Sequence, residues 1–470
     1  MSTRLAFSGY KQMRWFSTKQ RMEVIDTVNE LISNNGLKHK HHPGISKPRQ
    51  VEQPSWLANA VRDILCDNTI SLQGISASSK KLAAHLHNRQ PPPQKEDVRL
   101  KMKEAQSRLN QHEMQDLNND DNKNPEAIRL LKTLIYNWTP IHYDTYTSLS
   151  YLVSRSMPEY CVLYKIFNEI VNNDKNFTPK TLFDFGSGTG TAMWAASKFW
   201  VNSIKEYYCV DISKDMHELS EYLMKRAIPQ VKPMHIFYRQ FFPASPIPTY
   251  DIVVSAYSLL ELPHQMYRLQ TIAKLWRKTE QYLIIIEQGT NAGFKLVNEA
   301  REFILNSKKA HDAHVFSPCP HDTVCPRYTT DDTPCNFEIT YLTLPIGGNS
   351  MYKRERYSYV VLKKGNRPEN DCKWPRIVRD VLKRSKHVTC RMCTSSGKLE
   401  EQIFTTWKNG KNTYRCARCS EWGDRLPFEF VEVKEEEKVE QEEKVEQEEK
   451  VEQEEKVEQE EEIEKEKEHI

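Results

Sequence analysis

The chain has 470 residues, 38% hydrophobic and 28% charged, with a net charge of +3 and a mean hydropathy of −0.71, enough for two or three domains and a sizeable core. No apolar run approaches the roughly 20 residues of a membrane-crossing helix, so a soluble chain with no membrane span is expected. The near-neutral total hides an asymmetry: residues 434–470 hold 19 Glu and 7 Lys, a net of −12, which leaves +15 on the preceding body. A basic body suits a polyanionic partner, of which nucleic acid is the commonest, although dispersed charge also serves solubility alone.

Residues 1–22 contain Arg4, Lys11, Arg14, Lys19 and Arg21, no acidic residue, and Ser and Thr interleaved with Leu5, Phe7, Tyr10, Trp15 and Phe16. That is the composition of a mitochondrial transit peptide, and it sets the mitochondrial matrix as the expected location. Arg14, two residues ahead of Phe16, resembles a matrix-protease site. A basic N-terminus without a targeting role is the alternative.

A helical N-terminal region is expected over 23–124, with breaks at Asn34-Asn35-Gly36 and Pro91-Pro92-Pro93. Within it, 95–116 predicts a long exposed helix and 118–124 a polar linker. Further helices are expected at 125–138 and 158–171. From 181 the pattern alternates: strands at 181–185, 206–210, 234–238, 251–256 and 281–286, with helices at 191–200 and 265–279. This alternation specifies a mostly parallel sheet flanked by helices, an α/β fold assigned to 125–300. A Cys-rich β region is expected over 301–430, with strands at 337–344 and 356–362. A hairpin is expected at 402–414, because Asn409-Gly410 suits a tight primed turn. The acidic tail, 431–470, repeats Glu-Lys-Val-Glu-Gln-Glu four times. A six-residue step turns a helix by about 600°, so its valines share no face and a coiled coil is excluded. Disorder is the default there.

Asp184-Phe185-Gly186-Ser187-Gly188-Thr189-Gly190 follows a strand and opens a helix. Glycines admit positive φ and let a ligand approach the backbone. Dinucleotide sites use G-x-G-x-x-G; here the glycines alternate, and Thr191 stands in place of the third dinucleotide glycine. An acid followed by G-x-G-x-G resembles motif I of class I S-adenosylmethionine-dependent methyltransferases, which have a Rossmann-like fold. In that family the acid and loop hold the amino-acid end of S-adenosylmethionine. Asp211, ending the second strand, is placed for ribose hydroxyls. NAD is the lesser alternative.

Catalysis does not follow from the fold. Transfer to a base amino group typically uses Asn/Asp-Pro-Pro-aromatic after the fourth strand, where this chain has Ser255-Ala256-Tyr257-Ser258-Leu259-Leu260-Glu261-Leu262-Pro263. Cytosine C5 transfer needs a thiolate, and no Cys lies between 210 and 318. No catalytic residue is assigned.

Eight of the 11 cysteines fall between 319 and 419, and all of these but the isolated Cys372 are clustered. Cys390-x-x-Cys393 and Cys416-x-x-Cys419 resemble a zinc ribbon, slightly favoured on spacing. Cys319, Cys325 and Cys335, with a distant fourth ligand, suit an iron–sulfur cluster. Metal-free buried cysteines are the third option.

The 184–190 loop, Glu287-Gln288-Gly289-Thr290, the Cys319-Pro320-His321-Asp322-Thr323-Val324-Cys325-Pro326 run and the segment from Tyr414 through Asp424 occur in this order. Together, over 130–427, they resemble the mitochondrial ribosomal small-subunit methyltransferase-like family. The resemblance implies binding to the assembling mitochondrial small ribosomal subunit and its rRNA, a role in mitochondrial translation, and a [4Fe–4S] cluster. The implied ligands are Cys319, Cys325, Cys335 and Cys393; Cys390, Cys416 and Cys419 are not among them. Gln288 departs from the proline usual in the family. An assembly factor is therefore expected, with an active rRNA methyltransferase and a zinc-ribbon RNA-binding protein as alternatives. Arg376, Arg379, Lys383, Arg384 and Lys386 are candidate phosphate contacts, or else a solvated helix face.

Overall fold

The structure, a computed structural model, describes residues 20–67, 70–110, 125–227, 235–245, 248–307, 313–330, 333–346, 349–369 and 371–432. Residues 1–19 of the expected leader, the 118–124 linker and the acidic repeats lie outside the described residues.

Strand β1 (Gln20–Val24) leads into α1 (Asp26–Ser33), which buries Val28 and Ile32 one turn apart. The expected leader boundary at 22 falls inside β1, in which Met22 is buried. The two-residue β2 (Gln50–Val51) precedes helices α2 (Leu57–Asp67), α3 (Leu72–His87), α4 (Lys95–Asn110) and α5 (Pro125–Leu134). Helix α6 (Thr145–Asn173) starts well before the expected 158: Asp144 caps it, accepting from the Thr147 amide at 2.8 Å. Pro158 lies inside it, a position that proline normally disfavours. The buried run around it (Met157, Tyr160, Leu163, Ile166) holds the helix through by packing.

The central sheet follows in chain order: β3 (Thr181–Phe185), α7 (Thr191–Trp200), β4 (Glu206–Val210), α8 (Lys214–Ala227), β5 (His235–Arg239), β6 (Tyr250–Ala256), α9 (Gln265–Lys278) and β7 (Thr279–Gln288). These strands are parallel, in the spatial order β5-β4-β3-β6-β7. The order reverses at β3, so the cleft above the β3 and β6 carboxyl ends is where a doubly wound sheet receives ligands. Val253, Val254, Ile284 and Ile285 are fully buried, as strands covered on both faces require.

Helix α10 (Asn291–Leu305), β8 (Ala313–Ser317), α11 (Pro326–Thr330), β9 (Phe337–Leu342) and β10 (Tyr352–Lys364) come next. Strand β10 runs antiparallel to β7, from Tyr357↔Gln288 to Lys363↔Tyr282, and also pairs with β8 and β9. The sheet is mixed and nine-stranded, with β2 at the edge beside β9. The expected boundary at 300 thus runs through one sheet. Its cause is β10, whose Val360, Val361 and Leu362 are buried and continue the apolar layers of β7.

A smaller sheet holds β11 (Arg376–Ile377), β12 (Leu382–Lys383), β13 (His387–Cys393) and β14 (Leu399–Thr405). The hairpin expected at 402–414 does not form. Thr405 caps a helical turn, α12 (Thr406–Asn409), by accepting from the Lys408 amide at 3.0 Å. Gly410, at φ +78°, then connects it to α13 (Lys411–Cys419). Burial of Thr413, Cys416 and Ala417 on one face favours helix over strand. Strand β15 (Phe428–Glu432) returns to pair antiparallel with β1. Among the described residues no helix is long and apolar enough to cross a membrane.

Candidate functional site

Two constellations stand out, one at the switch point of the large sheet and one between the sheets. At the first, β3 carries Asp184 one residue from its end, and the chain then folds back so that the amides of Gly186 and Ser187 both donate to the Val210 carbonyl, at 2.8 and 3.1 Å. Gly186, Gly188 and Gly190 all have positive φ (+71°, +49° and +88°). A Cβ at Gly186 would lie 2.6 Å from Cβ of Ser258, and one at Gly190 2.6 Å from Oγ of Ser220. At Gly188 it would meet nothing within 4 Å, so that residue faces open space. Two glycines let the loop pack down; the third leaves it bare.

Asp211 braces this loop. Its carboxylate accepts from the Gly188 amide and from the Ser213 amide, each at 2.9 Å. Burial raises its pKa, and those two amides oppose the rise. Asp184 is pushed up to about 8, first by burial and then by the neighbouring Asp211 charge, so its carboxyl is neutral at pH 7. Around the loop, Ser187 Oγ, Thr189 Oγ1, Trp194 Nε1 and His217 Nε2 are buried with no hydrogen-bond partner among the described residues. Buried polar atoms are rarely left so.

The rim of this cradle is covered by the segment between α5 and α6. Trp138 Nε1 donates to the Leu260 carbonyl at 3.1 Å, and Ser213 Oγ donates to the Tyr143 carbonyl at 2.7 Å. Arg89, almost fully buried, donates to the Thr139 carbonyl and pairs with Glu261 at 2.8 Å. Tyr257, at φ +57°, turns the chain after β6, and Glu287 accepts from the Leu259 amide at 2.7 Å. The post-β6 loop is thus tied to the N-terminal region as well as to the sheet.

The second constellation is a narrow crevice lined by Cys319, Cys325, Cys335 and Cys393, with Pro318, Pro326, Arg327, Phe337 and Arg376 among its walls. Three segments supply the four thiols: the loop from β8 to α11 gives Cys319 and Cys325, the loop before β9 gives Cys335 and the end of β13 gives Cys393. Burial pushes the Cys325 thiol up to about 11, and raises Cys335 and Cys393 further; the charges of the other thiols add to each shift. Arg301 on α10 clamps the 319–325 loop by donating to the carbonyls of His321 and Thr323, at 3.1 and 2.7 Å. The ring of His321 lies 3.2 Å from Cys393 Sγ through Nε2 and 2.9 Å from Thr323 Oγ1 through Nδ1.

Cys390, in contrast, sits in a separate apolar core with Met22, Phe404, Cys416 and Phe428. It lies three residues from Cys393 on a continuous strand, and side chains alternate faces along a strand, so the two thiols point to opposite sides. That separates the pair the zinc-ribbon reading needs. Among the described residues no three His, Cys, Asp or Glu side chains are placed to share one metal ion. A tetrahedral zinc site brings its sulfurs within about 4 Å of one another.

The basic run divides. Arg376 is buried, donating to the carbonyls of Pro318 and Gly423 and pairing with Glu169, whereas Lys383 and Arg384 are exposed. No helix carries the run. Arg301 and His321 were not singled out from sequence. The only signal was the position of His321 inside a Cys-x5-Cys loop.

A profile of the family described as mitochondrial small ribosomal subunit Rsm22 matches residues 145–427, which hold both constellations. The chain belongs to the Rsm22 family. Its similarity to the human "Ribosome assembly protein METTL17, mitochondrial" is 36% identity over 416 residues, 86% of this chain and 90% of that protein. The Rsm22 relationship extends to yeasts. "Rsm22-cox11 tandem protein 2, mitochondrial" of Schizosaccharomyces pombe is 28% identical over 59% of this chain and 43% of its own length. "Ribosome assembly protein RSM22, mitochondrial" of Saccharomyces cerevisiae is 23% identical over 40% and 45%. Solved structures similar to parts of this Rsm22 chain include a magnesium protoporphyrin IX methyltransferase from Synechocystis. It has TM-score 0.27 and 11% identity, and the match covers 48% of this chain and 90% of that one.

Proposed function

We propose that this Rsm22-family chain is an assembly factor of the mitochondrial small ribosomal subunit, acting in the matrix, with a methyltransferase-like body that carries a metal cluster and binds rRNA. The single observation that carries the assembly role is the family match across 145–427, joined by a relative named as a mitochondrial ribosome assembly protein that aligns over 86% of the chain.

The convergence of Cys319, Cys325, Cys335 and Cys393 supports the cluster. The donor set is all thiol, drawn from three segments that meet at one crevice. Such a group, a [4Fe–4S] cluster, supplies when bound an inorganic staple and a one-electron redox centre. The protein's part is to fix the ligand loops. Arg301 holds the first loop and brings a positive charge toward the thiols of Cys319 and Cys325. Burial raises the thiols, so thiolate ligation is accompanied by proton release.

The glycine cradle fits S-adenosylmethionine. Gly188 faces open space, unpartnered hydroxyls and ring nitrogens line the loop, and the Asp211 carboxylate ends the second parallel strand. These features favour a second reading, an active rRNA methyltransferase.

Anaerobically purified full-length protein is expected to be brown and to bleach with dithionite; colourless protein with stoichiometric zinc overturns the cluster. Crosslinking in mitochondria is expected to recover small-subunit rRNA, and recovery of messenger RNA alone overturns the assembly reading. Labelled methyl transfer to rRNA of assembly intermediates, abolished by Gly186→Arg, would establish the second reading.

A further inference from the structure

A third constellation lies away from both sites. Lys165, on α6, is only 8% exposed, and among the described residues it makes no hydrogen bond and no ion pair. An ammonium group has three donors, and that of Lys165 is not sealed inside the fold but opens to the cavity its side chain lines. Burial brings its pKa down to about 8, against the pull of Asp424 and Glu169.

The side chain lines a cavity of about 260 Å³ whose rim includes Arg49, Arg354, Lys383 and Trp422. The guanidinium groups of Arg356 and Arg379 lie over the Trp422 ring, at 5.7 and 5.8 Å from its centroid. The indole Nε1 is itself buried without a partner. Three carboxylates also line the cavity. Glu338 is met by Arg354 and Arg356, each at 3.2 Å, and Glu421 is paired with Arg49; Asp380 is the third. Four cations line the cavity against these three acids, and Arg49 is also paired with Asp424 at 3.0 Å. Tyr352, Arg354 and Arg356 alternate onto one face of β10, all exposed, and extend the basic, aromatic surface past the rim.

We infer that this cavity is a binding subsite for a phosphodiester of single-stranded RNA, with Lys165 at its base, Arg354 and Lys383 at its rim and the Trp422 edge beside the sugar and base. The inference rests on the RNA-binding reading above and gives it a place on the surface. At about 260 Å³ the cavity falls below the roughly 300–1,000 Å³ of small-molecule pockets, the size of one group of a larger ligand. The basic surface beyond the rim fits a polyanion that continues past the cavity. Aromatic and guanidinium groups are the surfaces on which unpaired bases stack.

The test uses the full-length chain and a labelled single-stranded RNA, with affinity measured by fluorescence anisotropy across a salt series. Arg354→Glu/Lys383→Glu, both exposed, is expected to weaken binding about tenfold or more and to lower the salt slope by about 2, whereas the control with equal charge change, Lys180→Glu/Lys198→Glu, is not. Lys165→Met is expected to weaken binding several-fold while raising the melting temperature, because a ligand site, unlike a structural one, retains a charge that the fold alone does not need. If wild type binds RNA and neither variant differs from the control, the subsite is wrong while the broader reading stands. If wild type binds no RNA, both fail. Binding of a polyglutamate peptide in preference to RNA assigns the face to a protein partner and overturns the subsite.

Discussion

The glycine cradle is built from residues between 184 and 213, whereas the thiol crevice gathers residues from 319 to 393. The first keeps its shape through backbone: amides on Val210, positive-φ glycines, a carboxylate bracing the loop. The second keeps its shape through side chains from three segments, held by Arg301 and by the end of β13. A local site survives loss of its ligand, since its walls are secondary structure. A site assembled from distant loops depends on whatever joins them, because each loop otherwise regains its freedom.

The largest expected effect breaks the crevice. Cys393→Ser should abolish the visible absorbance of anaerobically purified protein and lower the unfolding free energy by more than about 3 kcal/mol, the scale of losing a bound metal group. Cys390→Ser, on the opposite face of β13, should leave the absorbance intact. Equal bleaching of both variants would show that the crevice is not the cluster site.

Next comes the strap across the cradle. Arg89→Ala removes a buried partner from Glu261 and from the Thr139 carbonyl, with an expected cost of about 3 kcal/mol in denaturant unfolding. A change under about 1 kcal/mol would mean that the strap is held elsewhere.

Within the cradle, Gly186→Ala combines positive φ with a close approach to Ser258 and should cost about 1–3 kcal/mol. Gly188→Ala meets no neighbour, so a loss of about 1 kcal/mol or less is expected, together with weaker S-adenosylmethionine binding by calorimetry. Equal destabilisation by the two substitutions would contradict the packing described.

The last comparison is a pH slope. The folded pKa of Asp184, about 8, lies above its unfolded value of about 3.9. Its contribution to stability is therefore fully present below about pH 4 and lost as pH rises through 8, since only the unfolded chain is ionised between them. Melting temperature should fall less steeply with pH in Asp184→Asn than in wild type; parallel slopes would remove Asp184 as the source.

The cradle was legible because its determinants are consecutive: an acid, three glycines and a second acid one strand later. The crevice was not legible from spacing, which favoured Cys390 with Cys393. Strand periodicity puts three-residue neighbours on opposite faces, and that became decisive only once β13 was known to be continuous. The ligand set came from family resemblance alone. Asn409-Gly410 misled because a turn dipeptide serves a helix junction as readily as a hairpin. Arg301 and Lys165 were invisible because a charge on a helix is ordinarily solvated, and nothing local marks the exceptions.

The pairing of β1 with β15 has a consequence for how the molecule is made. Met22, Val24, Val28 and Ile32 share one apolar cluster with Ile377, Val388, Phe404 and Phe428, which come roughly 350–400 residues later. At the usual 5–20 residues per second, ribosomal synthesis leaves that greasy stretch unpaired for roughly 20–80 s. A segment made early is thus among the last to be sheltered, and the fold closes only when its two ends meet.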